Sequence, residues 1–449
     1  MRRRMLPLGL LCIAASACND SPAPYVFGAR IVDGRNGNPA AGTDATILRI
    51  GIQQGELAAR EYEYPIDAGN FDASVELVGL TPLTRIRVEI EGAATKLLTA
   101  PPAFVPLSTN GVLRAVTAAP SSCERVTFDQ LEAPRAFFGM VQSGTFALIV
   151  GGTVPSQPQV EFLDALEWES RLFSEDFSLS DLGETRAASI DEGTILVLPT
   201  KAGPFVFDMV DVNRRITPVV LHNGAGPRSA LVSVRGVGAM IIGGELAGEP
   251  QSGVSLVEAG GKVTSLQLSV PRAGAAATAL GRNVLVAGGN VEGNAEILAE
   301  GAATGQPILH LLDGVRESGL LVGDGESRAL WMGGRDEVGA LRQDTVRFDG
   351  CPAACVPSSG PTWLTARSAA LQPPWSTLVI GGEGSKSVDE VRWSGADVTI
   401  DSLLTLEVPR AGAGGIVLES GAFIVAGGQD GTSIRDDFEF CVPSALAPL

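Results

Sequence analysis

Apolar residues along this chain come in short bursts. Beyond residue 120, strand-length runs such as Ala147-Leu148-Ile149-Val150, Asn283-Val284-Leu285-Val286 and Ser376-Thr377-Leu378-Val379-Ile380 recur between polar, turn-rich stretches. Runs this short, bounded by Gly and Pro and rich in β-branched residues, predict buried strands rather than helices. Six of the runs end in a diglycine: Gly151-Gly152, Gly243-Gly244, Gly288-Gly289, Gly333-Gly334, Gly381-Gly382 and Gly427-Gly428. A seventh run ends in Leu198-Pro199-Thr200 instead. Each is preceded by an arginine: Arg135, Arg186, Arg228, Arg272, Arg316, Arg367 and Arg410. Their spacing of about 46 residues falls in the range of propeller blades, each a four-stranded sheet.

In such a blade the Arg-led strand is innermost and the diglycine closes the second strand. There the backbone turns with little steric room, at positive φ, against the next blade. After Gly427-Gly428 only one more strand fits before Cys441, so the seventh blade lacks its outer strand. The segment Cys123-Glu124-Arg125-Val126-Thr127-Phe128 supplies it, closing the ring and removing a free edge. Cys123 and Cys441 then lie on neighbouring strands and are expected to form a disulfide. Cys351 and Cys355 are expected to form a small loop bridge; a metal pair is the rival reading, but neither a second cysteine pair nor a histidine cluster supports zinc.

The Arg…Gly-Gly phrase, followed by a polar loop and an apolar strand such as Asp344-Thr345-Val346-Arg347-Phe348-Asp349, resembles kelch repeats. Trp168 and Trp363 match the late-repeat tryptophan of that family. The resemblance implies an all-β, seven-bladed kelch-like β-propeller over 119–442, with 443–449 as a tail. Some kelch propellers are copper-radical oxidases, whose site needs tyrosines, a cysteine and histidines on the propeller. Here all three tyrosines (Tyr25, Tyr62, Tyr64) precede the repeats, which excludes that activity on sequence grounds.

Upstream, Ile86-Arg87-Val88-Glu89-Ile90 shows strict alternation, the sign of a half-buried strand. Together with Val26-Phe27-Gly28-Ala29-Arg30-Ile31-Val32, Ala45-Thr46-Ile47-Leu48-Arg49-Ile50 and the Asp67-Ala68-Gly69-Asn70-Phe71 turn, it resembles a carboxypeptidase-regulatory-like β-sandwich over 25–118. Such modules act as spacers or adhesion units. Residues 1–17 carry Arg2-Arg3-Arg4, an apolar run and Ala15-Ser16-Ala17 ahead of Cys18, a secretory leader. The segment resembles a bacterial lipoprotein signal in which Cys18 is acylated. Ala15-x-Ala17 also suits ordinary signal peptidase, cutting at the same bond. Cleavage discards Cys12 and leaves five cysteines, and lipid on Cys18 removes the odd one. Residues 18–24 form a tether, and an outer-membrane or periplasmic address follows.

Composition sharpens this picture. With 55 Gly, glycine stands well above the usual ~7%, as many tight turns require. Lys+Arg 33 against Asp+Glu 51 gives a net charge of −18, which works against a nucleic-acid or anionic-membrane partner. The loops after the diglycines are rich in carboxylates: Glu245, Glu249, Glu292, Glu296, Asp336, Glu337, Glu383, Asp389, Asp430, Asp436 and Asp437. If they share one face, it would recruit a basic partner or Ca²⁺, or be a solvated acidic rim. Trp375 is the aromatic expected to be exposed.

Catalytic motifs are absent from the sequence. His222 and His310 occupy equivalent places on repeats two apart and are expected to be structural. There is no Gly-x-Ser-x-Gly elbow, and Gly382-Glu383-Gly384-Ser385-Lys386-Ser387 lacks the order of a phosphate loop. A ring of seven arginines near the axis is either an anion site or a set of structural pairs with neighbouring blades. The reading is therefore a non-enzymatic, lipid-anchored envelope protein that binds a protein or glycan without a resident cofactor; a glycan-active enzyme is the alternative. Candidate contacts are Asp336, Glu337, Asp389, Asp430, Asp436 and Trp375.

Overall fold

The computed structural model describes residues 25–32, 40, 43–54, 60–67, 74–77, 84–92, 96–99, 113–116, 118–143, 146–153, 159–164, 169–172, 181–191, 193–208, 216–221, 226–289, 294–308, 316–363, 370–373, 376–418 and 421–443. Cys18, Trp168, His222, Glu292, His310, Arg367 and Trp375 lie outside the described residues.

The upstream region contains two sheets. A four-stranded antiparallel sheet runs in the order Arg60–Pro65, Ala45–Gln54, Thr84–Gly92, Lys96–Thr99. A three-stranded mixed sheet pairs Tyr25–Val32 with Ser74–Leu77 and Leu113–Val116. Alternation does what the sequence requires: Leu48, Ile50, Ile52, Val88 and Ile90 are buried on one face, while Arg49 on the other pairs with Glu63 and Glu91.

Among the described residues from 122 onward, seven sheets of three or more strands follow one another. Sheet I comprises Gly139–Ser143, Phe146–Val150, Val160–Asp164 and Glu169–Leu172. Sheet II comprises Thr185–Ser189, Thr194–Pro199, Phe205–Asp208 and Ile216–Pro218. Sheet III is built from Ala230–Val234, Gly238–Ile242, Glu249–Val257 and Val263–Arg272. Ala276–Leu280, Asn283–Ala287, Ala295–Leu298 and Gln306–Ile308 make sheet IV. Leu320–Gly323, Ala329–Met332, Thr345–Asp349 and Val356–Ser359 make sheet V. Sheet VI has three described strands, Leu378–Ile380, Ser387–Ser394 and Asp397–Thr405, with Leu371 bridging to Ile380 on the inner side.

Sheet VII joins the two ends of the region. Gly414–Val417, Phe423–Ala426 and Asp437–Val442 pair in sequence order, and Ser122–Gln130 adds as the outer strand against Asp437–Val442. In that register Cys441 faces Cys123, and the two form a disulfide across a sequence separation of 318. Cys351 and Cys355 form a second disulfide.

Packing explains why the second strands are continuously apolar rather than alternating. Each sheet is covered on both faces, so successive residues of one strand serve two cores. In Phe146–Val150, Leu148 and Val150 pack toward sheet II while Ala147 and Ile149 pack toward sheet VII. Seven apolar clusters lie between consecutive sheets, the last joining sheet VII (Ile424, Phe438, Phe440) back to sheet I (Phe138, Met140). Inner strands of neighbouring sheets touch in the same order, Gly414–Val417 meeting Gly139–Ser143.

Candidate functional site

The site is best approached through the repeat that surrounds it. Arg135, Arg272, Arg316 and Arg410 are 0–1% exposed. Each stands four residues before the inner-strand residue that pairs with the position just ahead of the diglycine: Gly139 with Val150, Ala276 with Ala287, Leu320 with Met332, Gly414 with Ala426. Three of these arginines share one set of partners. Nη1 donates to the carbonyl of the first glycine: Arg135 to Gly151 at 2.9 Å, Arg272 to Gly288 at 2.7 Å, Arg410 to Gly427 at 2.6 Å. The guanidinium also pairs with a buried glutamate of the third strand: Glu161, Glu296 or Glu439.

The second carboxylate oxygen of each glutamate accepts a backbone N–H, from Glu132 at 2.9 Å, Ser269 at 2.6 Å and Glu407 at 2.8 Å. A buried ion pair is tolerated when its hydrogen-bonding capacity is met in this way, and here it clamps inner strand, diglycine turn and third strand together. Burial lowers the pKa of Arg135, while Glu161 pushes it back up. Arg316 uses a variant of the clamp. Val346 stands at the glutamate's place, Asp344 takes the guanidinium, and Trp331 lies under it at 4.7 Å.

The diglycines complete the stitching between sheets. The second glycine donates its N–H to the carbonyl at the next repeat's arginine: Gly244 to Arg272, Gly289 to Arg316, Gly382 to Arg410 and, across the closure, Gly428 to Arg135. Both glycines sit at positive φ, 55° and 93° for Gly427 and Gly428, and a Cβ on Gly427 would lie 2.6 Å from the Arg135 carbonyl. Only glycine fits that conformation and that approach. Four of the seven arginines of the ring expected from sequence are thus structural, each with its carboxylate partner in the sheet that the arginine leads into.

Sheets II and III break the rule. In sheet II the arginine's place is taken by Leu182 and the glutamate's by Phe205, both buried in one apolar cluster. Arg186 is the inner-strand residue itself, paired with Leu198 beside the Pro199 turn. In sheet III, Gly226 and Ser255 stand at the two places, and the hydroxyl of Ser229 supplies the missing donor to the Gly243 carbonyl at 2.8 Å. The side chain of Arg228, displaced by two residues, is 42% exposed and pairs with Glu245 and Glu317.

Arg228 belongs to a ring of left-handed turns. Phe137, Arg228, Gly274, Ser318 and Gly412 each lie two residues past the arginine's place, with φ of 56°, 63°, 75°, 53° and 61°. Their backbones link neighbouring sheets: Gly274 N–H to the Arg228 carbonyl at 2.7 Å, Ser318 to Gly274 at 3.0 Å, Phe137 to Gly412 at 2.6 Å. Arg228 and Phe137 are non-glycine residues in a conformation that costs about 1 kcal/mol or more for most side chains. Their side chains lie over the glycine of the adjacent turn, Arg228 over Gly274 and Phe137 over Gly412.

The acidic candidates divide into two groups. Glu296, Asp389 and Asp437 are buried, which corrects their placement on an exposed loop face. Asp389 occupies the glutamate's place in sheet VI, accepts from Trp363 Nε1 at 2.7 Å and pairs with Ser387. Burial pushes the Asp437 carboxyl up, but Arg435, Arg410 and Arg125 outweigh it and hold the pKa below the usual range. Asp336, Glu337, Asp430 and Asp436 stay at or near the surface, interleaved with arginines. Asp336 accepts from the backbone of Val338 and Ala340, Arg335 pairs with Glu383, and Asp430 and Asp436 lie close enough to Arg435 to raise its pKa after its hydrogen bond to Asp437.

Among the described residues these carboxylates do not converge on one point. The one group of three metal-ligand side chains is Cys123, Glu439 and Cys441, whose sulfurs form the closing disulfide and whose carboxylate holds Arg410.

No family model and no curated protein matches the chain. Among solved structures, it is similar to a novel fungal alcohol oxidase of the AA5 family, in complex with copper. The likeness covers 70% of this chain and 75% of that one, at 15% identity and a TM-score of 0.54. The fold is all-β and propeller-like. The structure of YjhT also aligns, over 68% of this chain and 94% of that one, at 10% identity and a TM-score of 0.43.

This finding corrects the expectation that the chain is not an enzyme, because a solved structure that shares its propeller-like fold is an oxidase. The copper site expected of copper-radical kelch propellers, with tyrosines, a cysteine and histidines on the propeller, cannot be assembled from the residues present. Tyr62 and Tyr64 lie in the upstream strand Arg60–Pro65, no tyrosine follows residue 64, and Cys123, Cys351, Cys355 and Cys441 are all in disulfides. Shared architecture therefore leaves the chemistry to be argued from the diglycine end of the propeller itself.

Proposed function

We propose that this chain is an exported, lipid-anchored envelope protein whose seven-bladed, kelch-like propeller binds an envelope glycan at the diglycine end of the ring. The observation that carries this reading is the breakdown of the arginine clamp in two adjacent sheets. A residue buried in sheets I, IV, V and VII is replaced in sheets II and III, and the arginines found nearby, Arg186 and Arg228, reach solvent. Local departures from an otherwise consistent pattern mark the places where function has overridden stability. The exposed Glu245–Arg228–Glu317 group offers donors and acceptors of the kind that read sugar hydroxyls.

The anchor is supported by cysteine arithmetic: the two disulfides use four of the five cysteines left after cleavage, and Cys18 is the fifth. Unchanged detergent partitioning of Cys18→Ser would refute it. A glycan array probed with the purified chain tests the binding reading, with a crosslinking pull-down in parallel. A blank array together with a captured protein overturns it.

A second reading, a glycan-active enzyme, is favoured by Glu245 and Glu317 being held on one guanidinium. Two carboxylates flanking a bond are the usual apparatus of glycoside hydrolysis. Incubating an array-positive glycan with the protein and separating the products decides between them. Turnover that Glu317→Gln abolishes, with binding kept, establishes the enzyme.

A further inference from the structure

Arg186 is unlike every other arginine of the repeats that the structure describes. It sits in the innermost strand of sheet II, paired with Leu198 at the edge of the turn that replaces the diglycine. The other described inner strands, Gly139–Ser143, Ala230–Val234, Ala276–Leu280, Leu320–Gly323 and Gly414–Val417, carry no charged residue. Arg186 is therefore the lone charge among the described strands nearest the axis.

Among the described residues, no hydrogen bond and no ion pair reaches its guanidinium, whereas Arg135, Arg228, Arg272, Arg316 and Arg410 are all paired. It is only partly open to solvent, and the protein packed around it lowers its pKa to about 10 against the pull of Glu184. A guanidinium stripped of much of its water and given no partner is costly to keep. Leu182 and Phe205 show that this sheet can dispense with a charge at the clamp, so the charge in the inner strand serves something other than holding the sheet together.

We propose that Arg186 anchors the carboxylate of an acidic sugar at the diglycine end of the ring. The planar fork of a guanidinium matches a carboxylate in two parallel hydrogen bonds, and such a pair is strongest where water is scarce. The exposed Glu184 lies within electrostatic reach of Arg186, and a ligand that is all anion would be repelled by it. A sugar acid meets both requirements, with its carboxylate on Arg186 and its hydroxyls toward the glutamate. This inference rests on the reading of the diglycine end as the ligand site and adds the ligand's class and the residue that selects it.

Two measurements on the purified full chain test it. In calorimetric titration the wild type should bind glucuronate and galacturonate, and glucose and galactose at least about tenfold more weakly. Arg186→Met should lose at least about that factor toward the acids, and Arg186→Lys should keep part of it. Separately, phenylglyoxal followed by peptide mass mapping should modify Arg186 well before Arg272 and Arg410, and glucuronate should protect it.

Labelling of Arg186 no faster than of Arg272, no binding of either acid by the wild type, or equal binding by wild type and Arg186→Met overturns the proposal. An array that shows neutral glycans bound alike by wild type and Arg186→Met overturns this inference and leaves the binding reading standing. A blank array alongside glucuronate bound in an Arg186-dependent way overturns the envelope-glycan reading and keeps the diglycine end as a site for a free sugar acid.

Discussion

Sheet VII and sheet III carry the same repeat and use it in opposite ways. In sheet VII, Arg410 is buried and locked by Gly427, Asp437 and Glu439. In sheet III the place is empty of charge, a serine hydroxyl bonds the glycine carbonyl, and Arg228 turns outward on a left-handed residue. The diglycine turn forms in both. The clamp is thus one solution to holding the turn, and a small hydroxyl donor is another, which frees the arginine for solvent. A repeat protein can give up one clamp because its stability is spread over neighbouring interfaces.

The sharpest way to break this comparison is to remove one partner of a clamp. Glu439→Gln leaves Arg410 with Asp437 as its one remaining carboxylate and should cost about 3 kcal/mol, the low end for breaking a buried pair, read as a lowered midpoint in urea. Replacing both partners, Arg410→Met with Glu439→Leu, should recover most of the loss, since well-packed apolar residues often match a buried pair. If Glu439→Gln proves as mild as a surface change, the clamp is not what holds the sheet.

Next in size is the glycine contrast. Gly427→Ala drives a Cβ toward the backbone carbonyl of Arg135 and should cost about 2 kcal/mol or more. Gly274→Ala meets only the flexible end of Arg228, whose Nη2 lies 3.1 Å from the new Cβ, and should cost about 1 kcal/mol of left-handed strain. Circular dichroism melts of the two variants rank them; the reverse order would mean that the turn entering sheet IV and the diglycine turn of sheet VII are not comparable. Smaller again is Arg228→Ala, whose pairs are exposed and should be worth less than about 1 kcal/mol, so its effect belongs in ligand binding.

How much of this was legible beforehand depends on whether periodicity or side-chain chemistry carried the signal. The ring, its closure by residues 122–130 and the Cys123–Cys441 pairing follow from counting runs and spacings, because a strand covered on both faces writes itself as a continuous apolar run. The arginines were harder. Aligned by residue type, they hide the fact that Arg186 and Arg228 do not occupy the repeat's place.

A usable signal existed: the four clamped arginines precede their diglycine by 16 or 17 residues, whereas Arg228 and Arg186 precede Gly243 and Pro199 by 15 and 13. The buried carboxylates Glu296, Asp389 and Asp437 looked like loop residues because a charge at the mouth of a strand reads as solvated. Glu161 and Glu439 are hidden in the sequence for the same reason. Only the register, two residues ahead of each diglycine, reveals that four of the sheets place an acid opposite that position: Glu161, Glu296, Asp389 and Glu439.

The smallest expected effect separates a structural Arg186 from a functional one by its sign. Burial lowers the pKa of Arg186 to about 10 in the fold, well below that of the free side chain. The unfolded chain therefore holds the proton more tightly, so the charged arginine subtracts from stability at all pH values below about 10. As pH rises through that value the folded state sheds the proton first, and the penalty fades. Arg186→Met should accordingly melt about a degree higher than the wild type at pH 7, and the gap should narrow above pH 10. A variant that melts lower at pH 7 would show that Arg186 holds the sheet together after all, as Arg410 does in sheet VII.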